Sequence, residues 1–526
     1  MTKGAAIVIY SNSKRVSLER MSAEIISLKD RIQDYQERCH SLASALARCE
    51  KSKEKMKAAY EELLSEKDAL IKGLTNRVLY LEAVSAHDGT NTGISTAATP
   101  INKKKVIPNS RRGSDLKKGG QPGHKKHEME RFEDSDITET ISHELDPSAE
   151  VCDFCGGELI DTGETISKDE FDVEIKVIKR RHEYRIYRCK GCGAAVRLQI
   201  DKHLKEKNQY GSRVQALALS MMATGNVAVN KVRMLISGMT DGLMCLSEGF
   251  ICKLYKRASE NLQEFMADLK RRLIKRVLLY WDDTVVMIQT ERACMRFYGD
   301  ETISYYTAHE HKDLDSLLDD QILTVLTPET TVMHDHNRVN YNELFCFQNI
   351  ECNQHLERNL QKIADDNPTH KWPVKMKELI SSTIKKRKDL IAKGAGSFTS
   401  KELENFKMKV GRFLKKGNTE NKKSTNKYAS SFEKAVLERI KKYQGNYFKW
   451  VEDFQLPTTD NLSERGLRSI KSHMKISGQF DSEKTAKYYA TVKTYVETCR
   501  KNHINELEAL SRLCAGNPYT VEEIFA

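Results

Sequence analysis

The sequence predicts a multidomain α+β protein. Three observations lead there: a long heptad-patterned stretch near the amino terminus, two matched Cys-x-x-Cys pairs, and short β-branched apolar runs that carry carboxylates. At 526 residues the chain has room for several structural units. Its net charge of +12 is spread over several basic stretches, which points to a polyanionic partner rather than an acidic small molecule. The apolar stretch Ala5–Tyr10 is too short for a signal sequence and no run is long enough to span a membrane, so neither export nor membrane insertion is expected. Four of the thirteen cysteines make up the two pairs, a usage that fits reduced thiols and a metal site in the cytoplasm.

Residues 14–86 carry the first element. Apolar residues recur at alternating steps of four and three: Met21, Ile25, Leu28, Ile32, Tyr35, Cys39, Leu42, Leu46 and Cys49. The register resumes at Met56, Tyr60, Leu63, Leu70, Leu74 and Leu81, with Lys53 and Lys67 interrupting it. No Gly or Pro lies between Gly4 and Gly73. Such a seam predicts a coiled coil and a homo-oligomer, with Cys39 and Cys49 as small seam residues.

Over residues 87–130 the pattern gives way to Gly, Ser, Thr, Asn and Pro with dense positive charge at Lys103, Lys104, Lys105, Arg111, Arg112, Lys117, Lys118, Lys125 and Lys126. Little apolar surface is available there to offset the entropy of ordering, so a disordered basic linker is expected. Its lysines and arginines are suited to DNA phosphates, or simply to solvation.

Residues 131–200 hold Cys152-Asp-Phe-Cys155-Gly and Cys189-Lys-Gly-Cys192-Gly. The glycine after each pair permits the tight turn that brings two thiolates to one tetrahedral ion, so a zinc ribbon with one structural Zn²⁺ on Cys152, Cys155, Cys189 and Cys192 is expected. Alternation at Phe171, Val173, Ile175 and Val177, then at Tyr184 and Ile186, predicts strands between the pairs.

Residues 201–273 read as helices. Val229–Met239, a turn at Thr240-Asp241-Gly242, and Ser247–Asn261 have the proportions of a helix-turn-helix, with Lys253, Lys256 and Arg257 able to face phosphates. A generic helical hairpin would look the same.

The chemistry-bearing part follows. The run 277–288 places Asp282 and Asp283 inside an apolar strand, where an unpaired carboxylate costs several kcal/mol unless a base or a cation meets it. Side chains alternate along a strand, so only one of the two can serve a given site. Two more short strands (293–298 and 304–308), a helix (313–323) and a fourth strand (330–333) are expected next, the last ending in His334-Asp335-His336-Asn337. A His/Asp metallohydrolase centre is a rival reading. On an extended strand, though, His334 and His336 share one face and Asp335 the other, so that trio could converge only through a turn. Three meandering strands, a helix and a fourth strand bearing Asp is the order of a ribonuclease-H-like α/β fold, which would occupy residues 274–371 and 451–526. Folds of this kind hold two divalent cations between acids of the first and fourth strands, with a third acid from a late helix. Leu456-Pro457-Thr-Thr-Asp460-Asn461-Leu462-Ser463-Glu464-Arg465-Gly-Leu467-Arg468 supplies a candidate, Glu464. Its bland role would be a capping box with Asn461 as the cap. Arg465, Arg468 and Lys471 lie on or near the same helix. Residues 372–450 form a lysine-rich helical insertion.

Taken together, the heptad start, Gly119-Gly120-Gln121-Pro122-Gly123-His124, the cysteine pairs, the first-strand Asp and Asn461-Leu-x-Glu464-Arg465 resemble the DDE transposases of the insertion-sequence-66 family along nearly the whole chain. The resemblance implies a metal-binding triad of Asp282, Asp335 and Glu464 with two Mg²⁺ (or Mn²⁺) ions. It implies cleavage at insertion-sequence ends and 3′-hydroxyl strand transfer into target DNA. It further implies terminal inverted repeats and target DNA as partners, and a bacterial, nucleoid-associated protein. Accessory proteins of the same element would fit beside it. Cys352-Asn-Gln-His355, with Arg358 one turn on, matches the family's C-x-x-H motif and is not assigned a metal. The chain departs from the family in having Asp283 after the first Asp and histidines around Asp335. The competing class is a non-enzymatic zinc-ribbon DNA-binding regulator, in which Asp282 and Asp335 are buried salt-bridge partners.

Overall fold

The structure, a computed structural model, describes residues 4–85, 123, 125, 129–144, 151–201, 204, 206–424 and 427–526. The chain divides into two compact units, Met1–Asn109 and Ser110–Ala526. In the first, α1 (Gly4–Ser85) is one unbroken helix of 82 residues. Its seam from Met21 to Leu74 is exposed along this single chain, Cys39 and Cys49 included. An isolated helix of that length draws little stability from propensity alone, and an apolar stripe is left on its surface. Leu81's side chain and the linker residues Lys103, Lys104, Lys105, Arg111 and Arg112 lie outside the described residues.

Residues 129–144 and 151–201 hold little regular structure. A small antiparallel hairpin, β1 (Ile186–Arg188) and β2 (Ala195–Arg197), presents the second cysteine pair in its turn. The strand expected over Phe171–Val177 does not form, and residues 161–185 are irregular. Alternation alone does not make a strand: Phe171, Val173 and Ile175 stay exposed because no neighbour pairs with them in register. Phe171 instead packs edge-on against Phe132, ring centroids 4.3 Å apart.

Four helices follow: α2 (Ser212–Ala223), α3 (Val229–Met239), α4 (Glu248–Glu260) and α5 (Gln263–Leu273). Asp241 and Gly242 take left-handed backbone (φ 49° and 74°) to turn α3 into α4. Ser247 caps α4, its side chain accepting from the Phe250 N–H at 3.2 Å. Ile251, Leu254 and Ala258 line the buried face of α4, while Lys253, Lys256 and Arg257 point to solvent.

The chain then builds a five-stranded mixed sheet from β3 (Leu278–Ile288), β4 (Glu291–Gly299), β5 (Ser304–His309), β6 (Thr331–His334) and β7 (Gln348–Glu351), with α6 (Leu314–Asp319) before β6. The order across the sheet is β5-β4-β3-β6-β7. The first three strands are an antiparallel meander; β6 and β7 add in parallel on the other side of β3. β3 is therefore central and buried on both faces, which is why its run is nearly all apolar. α6 is shorter than the 313–323 helix expected; Asp313 caps it and Ser316 closes a capping box.

After β7 come α7 (Asn353–Asp366), α8 (Trp372–Ala392), α9 (Ser400–Lys422), α10 (Lys427–Lys442) and α11 (Gln444–Phe448), which share a core built on Trp372, Met376, Val410, Ile440 and Trp450. The chain returns to the sheet with α12 (Asn461–Ser477), α13 (Glu483–Lys501), α14 (Glu506–Ala515) and α15 (Val521–Ile524). α13 covers the outer edge of β5: the Tyr306 and Ser304 N–H groups donate to Thr494 and Thr498 hydroxyls at 2.9 and 3.2 Å. One face of the sheet packs Trp281 and Tyr298 against α2–α5, and the other packs Phe297 and Tyr306 against α12. No described helix is long and apolar enough to cross a membrane.

Candidate active site

The pleat of β3 separates its two acids. Asp283 shares a face with Arg296, its register partner on β4, and is ion-paired to the Lys312 ammonium at 2.5 Å. Asp282 points to the α12 face and accepts the Asp283 N–H at 2.8 Å. Burial pushes the Asp282 carboxyl well above the usual range, and the negative charges of Asp335 and Asp283 push it further.

Asp335 comes immediately after β6, which ends at His334. The flanking imidazoles are engaged elsewhere. His334 Nε2 lies 2.8 Å from Asn349 Oδ1, and His336 Nδ1 lies 2.7 Å from Glu351 Oε1. They serve the β6–β7 edge, and His334 Nδ1 also lies 2.6 Å from the Asp335 carbonyl oxygen.

The third acid comes from α12, and here the capping expectation fails. The cap of α12 is Asp460, not Asn461, and no side chain makes a capping bond, so Glu464 is not closing a capping box. Its carboxylate reaches α7 instead, 3.3 Å from Arg358 Nη1 and 3.6 Å from His355 Nε2. The C-x-x-H motif thus has a positioning role. Cys352 is buried, its thiol pushed up to about 12 by burial, and its Sγ accepts the Asp460 N–H at 3.2 Å. Asn353 adds its N–H and its side-chain amide to the Thr458 carbonyl at 3.0 and 3.2 Å. Together these fasten the start of α7 to the residues that launch α12. His355, three residues on, is lowered by burial while the charges of Asp335 and Glu464 draw it up.

α12 also needs a close approach to the sheet. A Cβ on Gly466 would sit 2.9 Å from the Phe297 ring and 3.2 Å from the Tyr306 hydroxyl, and that hydroxyl donates to the Gly466 carbonyl at 3.2 Å. Arg465 and Arg468 are exposed on the helix. Lys471 is half-buried; burial lowers it, and the charges of Asp282 and Glu464 hold it up.

Asp460 is the residue that sequence reasoning missed. It is fully buried, and burial raises its carboxyl well above the usual range, with Asp282, Asp335 and Glu464 adding to the rise. Four acids from β3, the end of β6 and the start of α12 therefore share one electrostatic neighbourhood. Among the described residues no three His, Cys, Asp or Glu side chains are arranged to enclose a metal ion as they stand, and Glu464 is drawn toward Arg358. The donor chemistry nonetheless suits hard divalent cations: oxygen ligands, mutual repulsion, and buried carboxylate oxygens on Asp460 with no hydrogen-bond partner.

The cysteines are gathered two and two. Gly156 N–H donates to the Cys152 carbonyl at 2.7 Å and Gly193 N–H to the Cys189 carbonyl at 2.9 Å, closing a knuckle at each pair. Cys152 is lowered by hydrogen bonds from the Phe154 and Cys155 backbone, and Cys189 by those from Cys192 and Gly191, which favours thiolate in both. The four sulfurs are not assembled into one closed centre.

Residues 235–488 match the sequence profile of the Transposase IS66 family. This stretch is similar to the transposase domain of that family. It begins within α3 and ends within α13, so the whole sheet, α12 and the four acids lie inside the matched stretch. The long helix α1 and both cysteine pairs lie outside it. A comparison with curated proteins gave no match.

Proposed function

We propose that the protein is a DNA transposase that cuts at the ends of its element and joins the freed 3′-hydroxyl to target DNA. The observation that carries this reading is the meeting of Asp282, Asp335 and Glu464 in one charged neighbourhood, although they lie far apart in the chain. A central strand flanked by an antiparallel meander and two parallel strands supports a ribonuclease-H-like catalytic domain, interrupted by the helical body 372–450.

In this reading Asp282, Asp335 and Glu464 hold two Mg²⁺ or Mn²⁺ ions. When bound, the ions supply activation of the attacking oxygen and charge stabilisation at the leaving 3′ oxygen. The chain's own residues do the rest by placement. Cys352 and Asn353 fix the start of α12, and Gly466 lets that helix press on Phe297. Arg358 neutralises Glu464 while it waits for a cation, with His355 beside the same carboxylate. Arg465, Arg468 and Lys471 face the phosphodiester backbone from the same helix. Lys253 and Arg257 on α4, with the basic residues Lys103, Lys104, Lys105, Arg111 and Arg112, would hold the terminal inverted repeats through salt-sensitive phosphate contacts. The exposed seam of α1 would pair copies of the chain so that two DNA ends are held together. The two knuckles would share one structural Zn²⁺ through Cys152, Cys155, Cys189 and Cys192, clamping the irregular segment between them. Such a protein would act on the bacterial nucleoid, with accessory proteins of the same element as further partners.

The test is cleavage and joining of labelled DNA carrying the element's ends, with Mg²⁺ or Mn²⁺. Asp282→Asn and Asp335→Asn should each abolish joining, and Glu464→Gln should abolish strand transfer while end binding persists. Joining retained in the Glu464→Gln protein would remove that residue from the triad. Binding without metal-dependent chemistry in the wild type would favour a non-enzymatic regulator.

A further inference from the structure

We propose that Asp460 is a fourth cation-binding carboxylate of this site, holding a divalent ion together with Asp282 at the buried end of the acidic cluster. The proposal rests on the two-metal reading above and adds a ligand to it.

Asp460 fills neither of the structural roles open to an aspartate at this position. An Asp at a helix N-cap ordinarily accepts a backbone N–H of the first turn; here no such bond is made. A buried Asp ordinarily meets a base or several donors. Asp460 is 0 % exposed, and neither carboxylate oxygen has a hydrogen-bond partner among the described residues. The Ser463 hydroxyl is close enough to ease the acid by more than Asp335 or Glu464 alone raises it, yet its hydrogen bond goes to the Asp460 carbonyl at 3.0 Å, and burial and Asp282 outweigh it. Only the backbone of Asp460 is satisfied, through Cys352, Ser463 and the Glu464 N–H.

Two other buried carboxylates show what a structural role requires. Asp320 is met by Arg296, Tyr298 and His309, and Glu433 by His370, Trp372 and Asn421. Asp460 instead faces the charges of Asp282, Asp335 and Glu464. It precedes Glu464 by one helical turn, so both acids lie on the same side of α12. A carboxylate buried among carboxylates is strongly unfavourable unless a cation neutralises the group, and a hard divalent ion accepts several oxygen ligands at once.

The experiment is Mn²⁺ binding by the full chain, without DNA, followed by the electron paramagnetic resonance of free Mn²⁺ and by calorimetry, alongside melting of the metal-free proteins. Asp460→Asn should weaken Mn²⁺ binding at least tenfold, or remove one bound ion, while melting no lower than wild type without metal. Asp460→Ser keeps a cap-competent hydroxyl and should behave alike if the Asn variant folds poorly. Wild-type affinity and stoichiometry in Asp460→Asn would overturn the proposal, as would metal-free melting of both variants several degrees below wild type, the mark of a structural acid. Weakened binding in Asp282→Asn with unchanged binding in Asp460→Asn would remove Asp460 alone and leave the two-metal reading standing. No Mn²⁺ binding by the wild type, or unchanged binding in Asp282→Asn as well, would overturn both.

Discussion

Asp282 and Asp283 are neighbours in β3, yet Asp283 meets the Lys312 ammonium whereas Asp282 lies within the field of the Asp335 and Asp460 carboxyls. The contrast extends across the two faces of the sheet. On the Asp283 face, Asp320 accepts from Arg296 at 3.1 Å and Tyr298 at 2.7 Å, and pairs with His309 at 2.7 Å. Burial alone would raise Asp320, but the His309 hydrogen bond and charge, with Arg296 and Tyr298, outweigh it and hold the acid below its ordinary value. On the Asp282 face the balance runs the other way, and Asp282 and Asp460 are raised. Buried acids with matched donors hold a fold together; buried acids set against one another wait for a cation.

The largest expected effect that tests this contrast is on chemistry. Asp282→Asn should lower DNA joining by about 10³-fold or more, the scale of losing an essential metal ligand, with metal-free melting unchanged or raised. Next in size is the opposite result on the opposite face. Asp320→Ala strands the Arg296 guanidinium, whose side chain is 2 % exposed, and should cost about 3–5 kcal/mol in chemical denaturation. If Asp320→Ala melts like wild type, the matched face is not a stability element and the contrast fails.

Much of this architecture was legible in the sequence, for a physical reason. Helices such as α3 and the strands β3–β6 follow from periodicity, a property of a segment by itself, and their observed bounds fall close to those expected. Features that depend on a distant partner were not legible. The Phe171–Val177 alternation had no strand to pair with. Asn461 reads as a helix cap until Cys352, over a hundred positions away, is seen holding the Asp460 N–H. Asp460 itself looks like an ordinary turn residue in Thr-Thr-Asp-Asn; only its burial beside Asp282 singles it out. Gly466 carried a weak signal, a glycine inside an otherwise regular helix, which marks close packing.

That packing gives a smaller prediction. Gly466→Ala should displace α12 from Phe297, costing about 1–3 kcal/mol as overpacking does, and should lower joining more than stability alone explains, because Glu464 rides on the same helix. Activity and denaturation measured on the same preparation check this.

The smallest expected effect is on pH. His473 stacks on Phe480 and Tyr489, and burial lowers its imidazole to about 4 from an ordinary 6.5. The folded state thus favours neutral imidazole. The stability this contributes is fully present above about pH 6.5 and is lost progressively as pH falls toward about 4. His473→Phe should flatten that part of the melting-temperature profile; an unchanged acid slope would contradict the assignment.

The most direct measurement of the contrast is the Mn²⁺-induced shift in melting temperature of the full chain, comparing wild type with Asp282→Asn and Glu433→Gln. Glu433 is a fully buried acid in the helical body, satisfied by His370, Trp372 and Asn421. The account predicts that wild type gains several degrees with Mn²⁺ and that Glu433→Gln starts lower but gains as much. Asp282→Asn should gain little or nothing. An equal Mn²⁺ gain in all three proteins would contradict it.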